Sequence, residues 1–333
     1  MFRMTAWLGI GATLFSVHAV AQSRMLLPTA YEAGHFYATP ELVNGKTMRL
    51  VVDTGGGGTK GLYVIKAPAA RRLGLGTIKC ALGGETAELI KAPAFRSGKG
   101  LPVSSNTPCH SAAFVIPAEK GMPDTEDGQL GAGYLPEHVW TFDYPAKQLW
   151  LEPATWQAPS GAHRTALGFQ TNAQIASGMA RITLKVDGQP LDLLLDTGAT
   201  AKPTTAGKEA SGTPTEHGIG VTSYITTSVL ERWHQRHPDW RVVADGDDLF
   251  GSRHASRLIE VPSVEIAGWV AGPVWFTERP DKNFHDFMSK YTDQRVEGSA
   301  GGNIFARFVM TIDYPDRVAW FTCARQCKIA AAR

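Results

Sequence analysis

The chain carries one six-residue pattern twice. Leu50-Val51-Val52-Asp53-Thr54-Gly55 drives an apolar strand into a turn that ends on a carboxylate, and Leu193-Leu194-Leu195-Asp196-Thr197-Gly198 does the same. A single Asp-Thr-Gly is a weak signal, because a plain turn uses the same residues. The copies agree beyond the motif. Asp53 and Asp196 each lie eight residues after a turn glycine, Gly45 of Asn44-Gly45 and Gly188 of Asp187-Gly188, and both dipeptides are hairpin signals. Side-chain alternation also matches. Met48, Leu50 and Val52 correspond to Leu191, Leu193 and Leu195 on one strand face, and Arg49, Val51 and Asp53 to Asp192, Leu194 and Asp196 on the other.

The repeat returns downstream. Gly128-Gln129-Leu130-Gly131-Ala132-Gly133 leads to Thr141-Phe142-Asp143-Tyr144-Pro145 and a strand at Gln148–Leu151; Gly298-Ser299-Ala300-Gly301-Gly302-Asn303 leads to Thr311-Ile312-Asp313-Tyr314-Pro315 and a strand at Val318–Phe321. The second half is longer, and the extra length falls around Ser228–His237, a helix stopped by Pro238, and Asn283–Tyr291. Residues 153–163, with Pro153 and Pro159, read as the connection between an N-terminal lobe at 22–152 and a C-terminal lobe at 164–333. Asp143 and Asp313 read as turn or strand-end residues, and Trp140, Trp150 and Trp320 as packing residues at repeated positions.

Composition narrows the class. At 333 residues the chain is long enough for two lobes. A net charge of +2 offers no excess of basic residues for nucleic acid or an anionic membrane. The 35 glycines and 20 prolines, with little long helical periodicity, favour strands and turns, hence an all-β fold. Residues 1–21 read differently. Arg3, an apolar run from Trp7 to Val20 and the small-x-small Ala19-Val20-Ala21 describe a cleaved signal peptide, with an anchor or core helix as the competing reading. The expectation is an exported protein, periplasmic or secreted, with no membrane contact after cleavage. In that setting the four cysteines are expected to form disulfides rather than a metal site. Proximity favours Cys80–Cys109 and Cys323–Cys327 among three possible pairings.

Other chemistries fit poorly. Gly45-Lys46-Thr47 is the one Gly-Lys-Thr, and the glycine that a phosphate-binding loop requires five residues earlier is Pro40. His234 and His237 lie one helical turn apart, yet no His-Glu-x-x-His completes a zinc site, so no metal and no cofactor are expected. No Gly-x-Ser-x-Gly elbow marks a serine nucleophile.

With its two Asp-Thr-Gly strands, each preceded by a hairpin and followed by an apolar-Gly turn, the chain resembles the pepsin/retropepsin-like aspartic proteases over most of 36–151 and 180–322. The resemblance implies a bilobal acid-protease fold of two pseudo-twofold-related β-barrel lobes with short helices. An extended peptide or protein substrate would lie in the cleft between them. It implies Asp53 and Asp196 as catalytic carboxylates, and Thr54, Gly55, Thr197 and Gly198 as their supports. Both Asp strands are in one chain, so a monomer suffices. The downstream segments would buttress the Asp loops; Leu130-Gly131 fits that role, and Gly301-Gly302 replaces its aliphatic residue with Gly. A flap is assigned to Gly83 and Gly84 after Leu82, with Gly218-Ile219-Gly220 as its counterpart.

The chemistry follows from the pairing. Two carboxylates about 3 Å apart cannot both ionise, so one acts as general base on a water and the other as general acid, leaving open which is which. The loops then diverge: Gly198 is followed by Ala199-Thr200, but Gly55 by Gly56-Gly57-Gly58-Thr59. Neither loop places a Ser hydroxyl directly after its glycine to bond the outer carboxylate oxygen. The ionised pair is therefore expected to be less stabilised than in pepsin, with activity peaking at mildly acidic pH. The competing reading is a peptide-binding protein of the same fold with little or no hydrolysis.

Overall fold

The computed structural model describes residues 23–102, 104, 107–117, 125–172 and 177–330. The expected signal peptide at 1–21 lies outside them. Strands dominate, and each half is built around its Asp strand. In the first half Leu50–Asp53 pairs antiparallel with His35–Ala38 and parallel with Gly128–Gly131, inside an eight-stranded sheet. In the second, Gln189–Leu195 pairs antiparallel with Ala180–Val186 and parallel with Gly298–Ala300. Leu50, Val52, Leu193 and Leu195 are all fully buried, which is why these strands read as near-continuous apolar runs.

The two hairpins differ. Asp187-Gly188 closes a regular six-pair ladder, with both turn residues at positive φ as such a turn requires. At Asn44-Gly45 the hairpin forms but is irregular. Leu42 N–H donates to Lys46 O (2.8 Å) and Met48 N–H to Pro40 O (3.1 Å), and the ladder breaks at Pro40, which has no N–H to contribute. The second buttress also differs from expectation by one residue. Asp53 lies opposite Gly131, and Leu195 opposite Ala300, so the partner of Leu130-Gly131 is Ala300-Gly301. The aliphatic position is filled by buried Ala300.

The halves join through one sheet. Val139–Asp143 pairs antiparallel with Phe308–Asp313, and the hydroxyls of the facing Thr141 and Thr311 meet at 2.7 Å. Asp143 and Asp313 end these strands and cap equivalent turns, accepting from Ala146 N–H and Asp316 N–H at 3.0 Å each. Trp140 is fully buried, while Trp150 and Trp320 are half-buried. The chain then passes from strand Gln148–Glu152 to strand His163–Phe169, which pairs with Val318–Cys323.

The second-half helix runs Thr227–Arg236 and buries Val229, Leu230 and Trp233. His237, just past it, stacks on Trp240, and its Nε2 lies 2.9 Å from Asp187 Oδ2. Asn283–Phe287 and Met288–Tyr291 form consecutive short helical turns. Both expected disulfides are present, Cys80–Cys109 and Cys323–Cys327. The first ties hairpin Thr77–Leu82/Glu85–Lys91 to the turn before strand Ser111–Ile116. Among the described residues no helix is long and apolar enough to cross a membrane.

Candidate active site

The two Asp-Thr-Gly loops meet face to face and are cross-bonded. Thr54 Oγ1 donates to Leu195 O (2.8 Å) and accepts from Thr197 N–H (3.0 Å); Thr197 Oγ1 donates to Val52 O (2.7 Å) and accepts from Thr54 N–H (3.1 Å). Each hydroxyl thus satisfies one donor and one acceptor of the opposite strand, in a buried position where an unpaired polar group would be costly. The loops are locked as one unit.

The glycines set the separation of the carboxylates. A Cβ on Gly55 would lie 2.5 Å from Asp196 Cγ, and one on Gly198 would lie 2.2 Å from Asp53 Cγ. Each loop therefore leaves its side-chain space to the opposite carboxylate. Backbone donors hold the inner oxygens: Gly55 N–H bonds Asp53 Oδ1 at 2.9 Å, and Gly198 N–H bonds Asp196 Oδ1 at 3.2 Å. The two carboxyls adjoin closely enough to interact directly. Burial raises the proton affinity of both. Two like charges this close cannot both ionise, so the carboxyls hold a proton between them and titrate as a unit.

Beside the dyad lies a cavity of about 460 Å³. Its floor is the dyad with Gly55–Gly58 and Gly198-Ala199; its apolar wall is Met179, Phe287, Met288 and Tyr291. Phe287 is 53% exposed, unusual for a residue of its size. Three of these four wall residues come from the second-half insertion, which sequence length had located without a role. Hairpin 77–91 forms with Gly83 and Gly84 at its tip, both at positive φ, but the tip is exposed and does not line this cavity. Gly218 sits in a tight turn closed by Glu216 and Ile219, also away from it.

Three further residues border the dyad. His35 is fully buried, its Nε2 lies 3.2 Å from Thr200 Oγ1, and burial lowers its pKa to about 4. Gln129 and Ser299 lie on the strands beneath the loops. The signal for these two was present in Gly128-Gln129-Leu130-Gly131 and Gly298-Ser299-Ala300-Gly301, where one polar residue recurs in an otherwise apolar strand.

No protein-family model and no curated protein sequence matches the chain. Among solved structures it is similar to an aspartic proteinase from Irpex lacteus, at 10% identity and TM-score 0.48, over 91% of this chain and 98% of that one. It is also similar to basic 7S globulin from soybean, at 12% identity and TM-score 0.45, over 90% and 94%. Conglutin gamma, a basic 7S globulin from lupine seeds, matches at 10% identity and TM-score 0.44, over 91% and 95%. Such distant likenesses do not extend to activity. The duplicated Asp strands, the parallel strands beneath them and the cross-bonded loops give this chain a pepsin-like, bilobal aspartic-protease fold.

Proposed function

We propose that the protein is an aspartic endopeptidase that hydrolyses peptide bonds by activating water between Asp53 and Asp196. The observation that carries this is the reciprocal packing of each loop glycine against the opposite carboxylate, which brings buried Asp196 and half-buried Asp53 together. A water held between them loses a proton to ionised Asp53 as its oxygen attacks the carbonyl carbon, and Asp196 protonates the carbonyl oxygen. The tetrahedral diol then collapses: the C–N bond breaks, the nitrogen takes the proton held by Asp53, and Asp196 recovers its own from the diol. The substrate would be an extended peptide with an apolar side chain against Phe287, Met288 and Tyr291. Two disulfides and the apolar leader support export. Both carboxylates belong to one chain, so the monomer would be the active unit.

Purified protein incubated with a mixed peptide library from pH 3 to 8 tests this. Cleavage is expected, and Asp53→Asn and Asp196→Asn should each abolish it with folding intact. Peptide retention without cleavage would identify a binding protein instead.

A further inference from the structure

Strands Gly128–Gly131 and Gly298–Ala300 each carry one polar residue, and the register makes the two equivalent. Gln129 lies opposite Val51 and Ser299 opposite Leu194, each two residues before its Asp. Gln129 Nε2 and Ser299 Oγ are both shielded from solvent, and neither has a hydrogen-bond partner of regular geometry among the described residues. A buried unpaired donor is rare enough to need an explanation. Here it occurs at two symmetry-related points.

Their surroundings supply the explanation. A Cβ on Gly56 would fall 1.4 Å from Gln129 Nε2 and 2.5 Å from Asp53 Oδ2, and one on Gly131 would fall 2.7 Å from the same Nε2. The Gln129 amide thus occupies the space of a side chain at 56. It flanks the carboxylate oxygen that Gly55 N–H leaves free. Gly56 has no positive φ, so what its missing Cβ provides is room for this amide rather than an unusual backbone. In the other half the pair is scaled differently: buried Ala199 replaces Gly56, and the short Ser299 side chain replaces Gln129 beside Asp196. A large amide with glycine at the loop position on one side matches a small hydroxyl with alanine at that position on the other.

We propose that Gln129 and Ser299 are the positioning residues of the dyad, donating to the outer oxygens of Asp53 and Asp196 as negative charge develops there. They take the place of the hydroxyl that neither loop carries after its glycine. The donors reach the carboxylates from the strand below, not from the loop itself. This inference rests on the dyad being the catalytic pair.

The test is a set of kcat/KM–pH profiles on a peptide that the wild-type protein cleaves. Gln129→Leu removes a donor from ionised Asp53, so the acidic limb should move up by about one pH unit, with kcat falling more than KM changes. Gly56→Ser alone should lose activity, because its Cβ collides with the amide. Gly56→Ser with Gln129→Ala opens the space and returns a hydroxyl from the loop, and should restore the wild-type limb. A Gln129→Leu profile that keeps the wild-type limb, or a double variant no better than the worse single one, overturns the proposal while leaving the protease reading intact. If the wild-type protein cleaves nothing, that reading has failed, and carboxyl NMR of ¹³C-aspartate-labelled protein takes over. A rise in the Asp53 midpoint in Gln129→Leu supports the contact, and an unchanged midpoint rules it out.

Discussion

Thr54 and Thr197 each spend one hydroxyl on two backbone groups of the opposite loop, so the unit they hold should be sensitive to a single oxygen. Thr54→Val keeps the shape and strands a buried N–H and C=O. It should cost about 2–4 kcal/mol in urea unfolding, with Thr54→Ser recovering most of that. The carboxylates behave oppositely, because burying two acids side by side costs folding. Asp196 holds its proton more tightly folded than unfolded, so its contribution to stability is full below the unfolded value of about 4 and is lost as pH rises above it. Asp196→Asn should therefore raise stability by about 1–2 kcal/mol at pH 7 and by less at pH 4, read from unfolding midpoints. At this scale the sequence was legible wherever chemistry sits in a contiguous motif. Asp53, Thr54 and Gly55 declare themselves; Gln129 does not, because what its amide adjoins depends on what stands above it in space.

Hairpin Thr77–Leu82/Glu85–Lys91 shows what an element owes to a covalent tie. Cys80–Cys109 fastens it across a sequence separation of 29 residues. Replacing both cysteines with serine should lower stability by about 3 kcal/mol, seen as a reduced urea midpoint. The helical turns 283–291 present the opposite case, an element placed for contact. Phe287 is more than half exposed beside the dyad cavity, so Phe287→Ala should leave stability within about 0.5 kcal/mol. It should also lower kcat/KM about tenfold for peptides with a large apolar side chain at that wall. The sequence located this insertion by length but had no means to seat it on the cavity. The one-residue difference at Ala300-Gly301 has a related cause. Two adjacent glycines offer the sequence two alignments, and only the parallel register against Leu194 and Leu195 selects one.

Across the whole molecule, two groups of opposite sign bound the working pH. His35 joins the first half to the second through Thr200, and burial keeps it neutral down to about pH 4. Its folded pKa is depressed, so the unfolded chain takes up the extra proton between about 6.5 and 4, and stability falls as pH falls through that window. The loss should reach about 3 kcal/mol, and a polar uncharged replacement such as His35→Gln should flatten the slope in urea titrations. The dyad works the other way, losing stability as pH rises. Activity is thus expected to peak at mildly acidic pH, and a pH–rate optimum near 2 would contradict both this balance and the expectation from the two loops.

Taken alone, the sequence determined that two equivalent halves would each drive an apolar strand into Asp-Thr-Gly, because strand alternation, turn glycines and a duplicated motif are all local and periodic. It also determined the disulfide pairing that chain proximity favours. Only the tertiary structure decided which side chains attend the carboxylates. Gln129 beneath Gly56, Ser299 beside Asp196 and Phe287 at the cavity wall are brought in by parallel pairing and by an insertion folding back. Their roles follow from volume and unpaired polarity at a distance, neither of which is written in the order of residues.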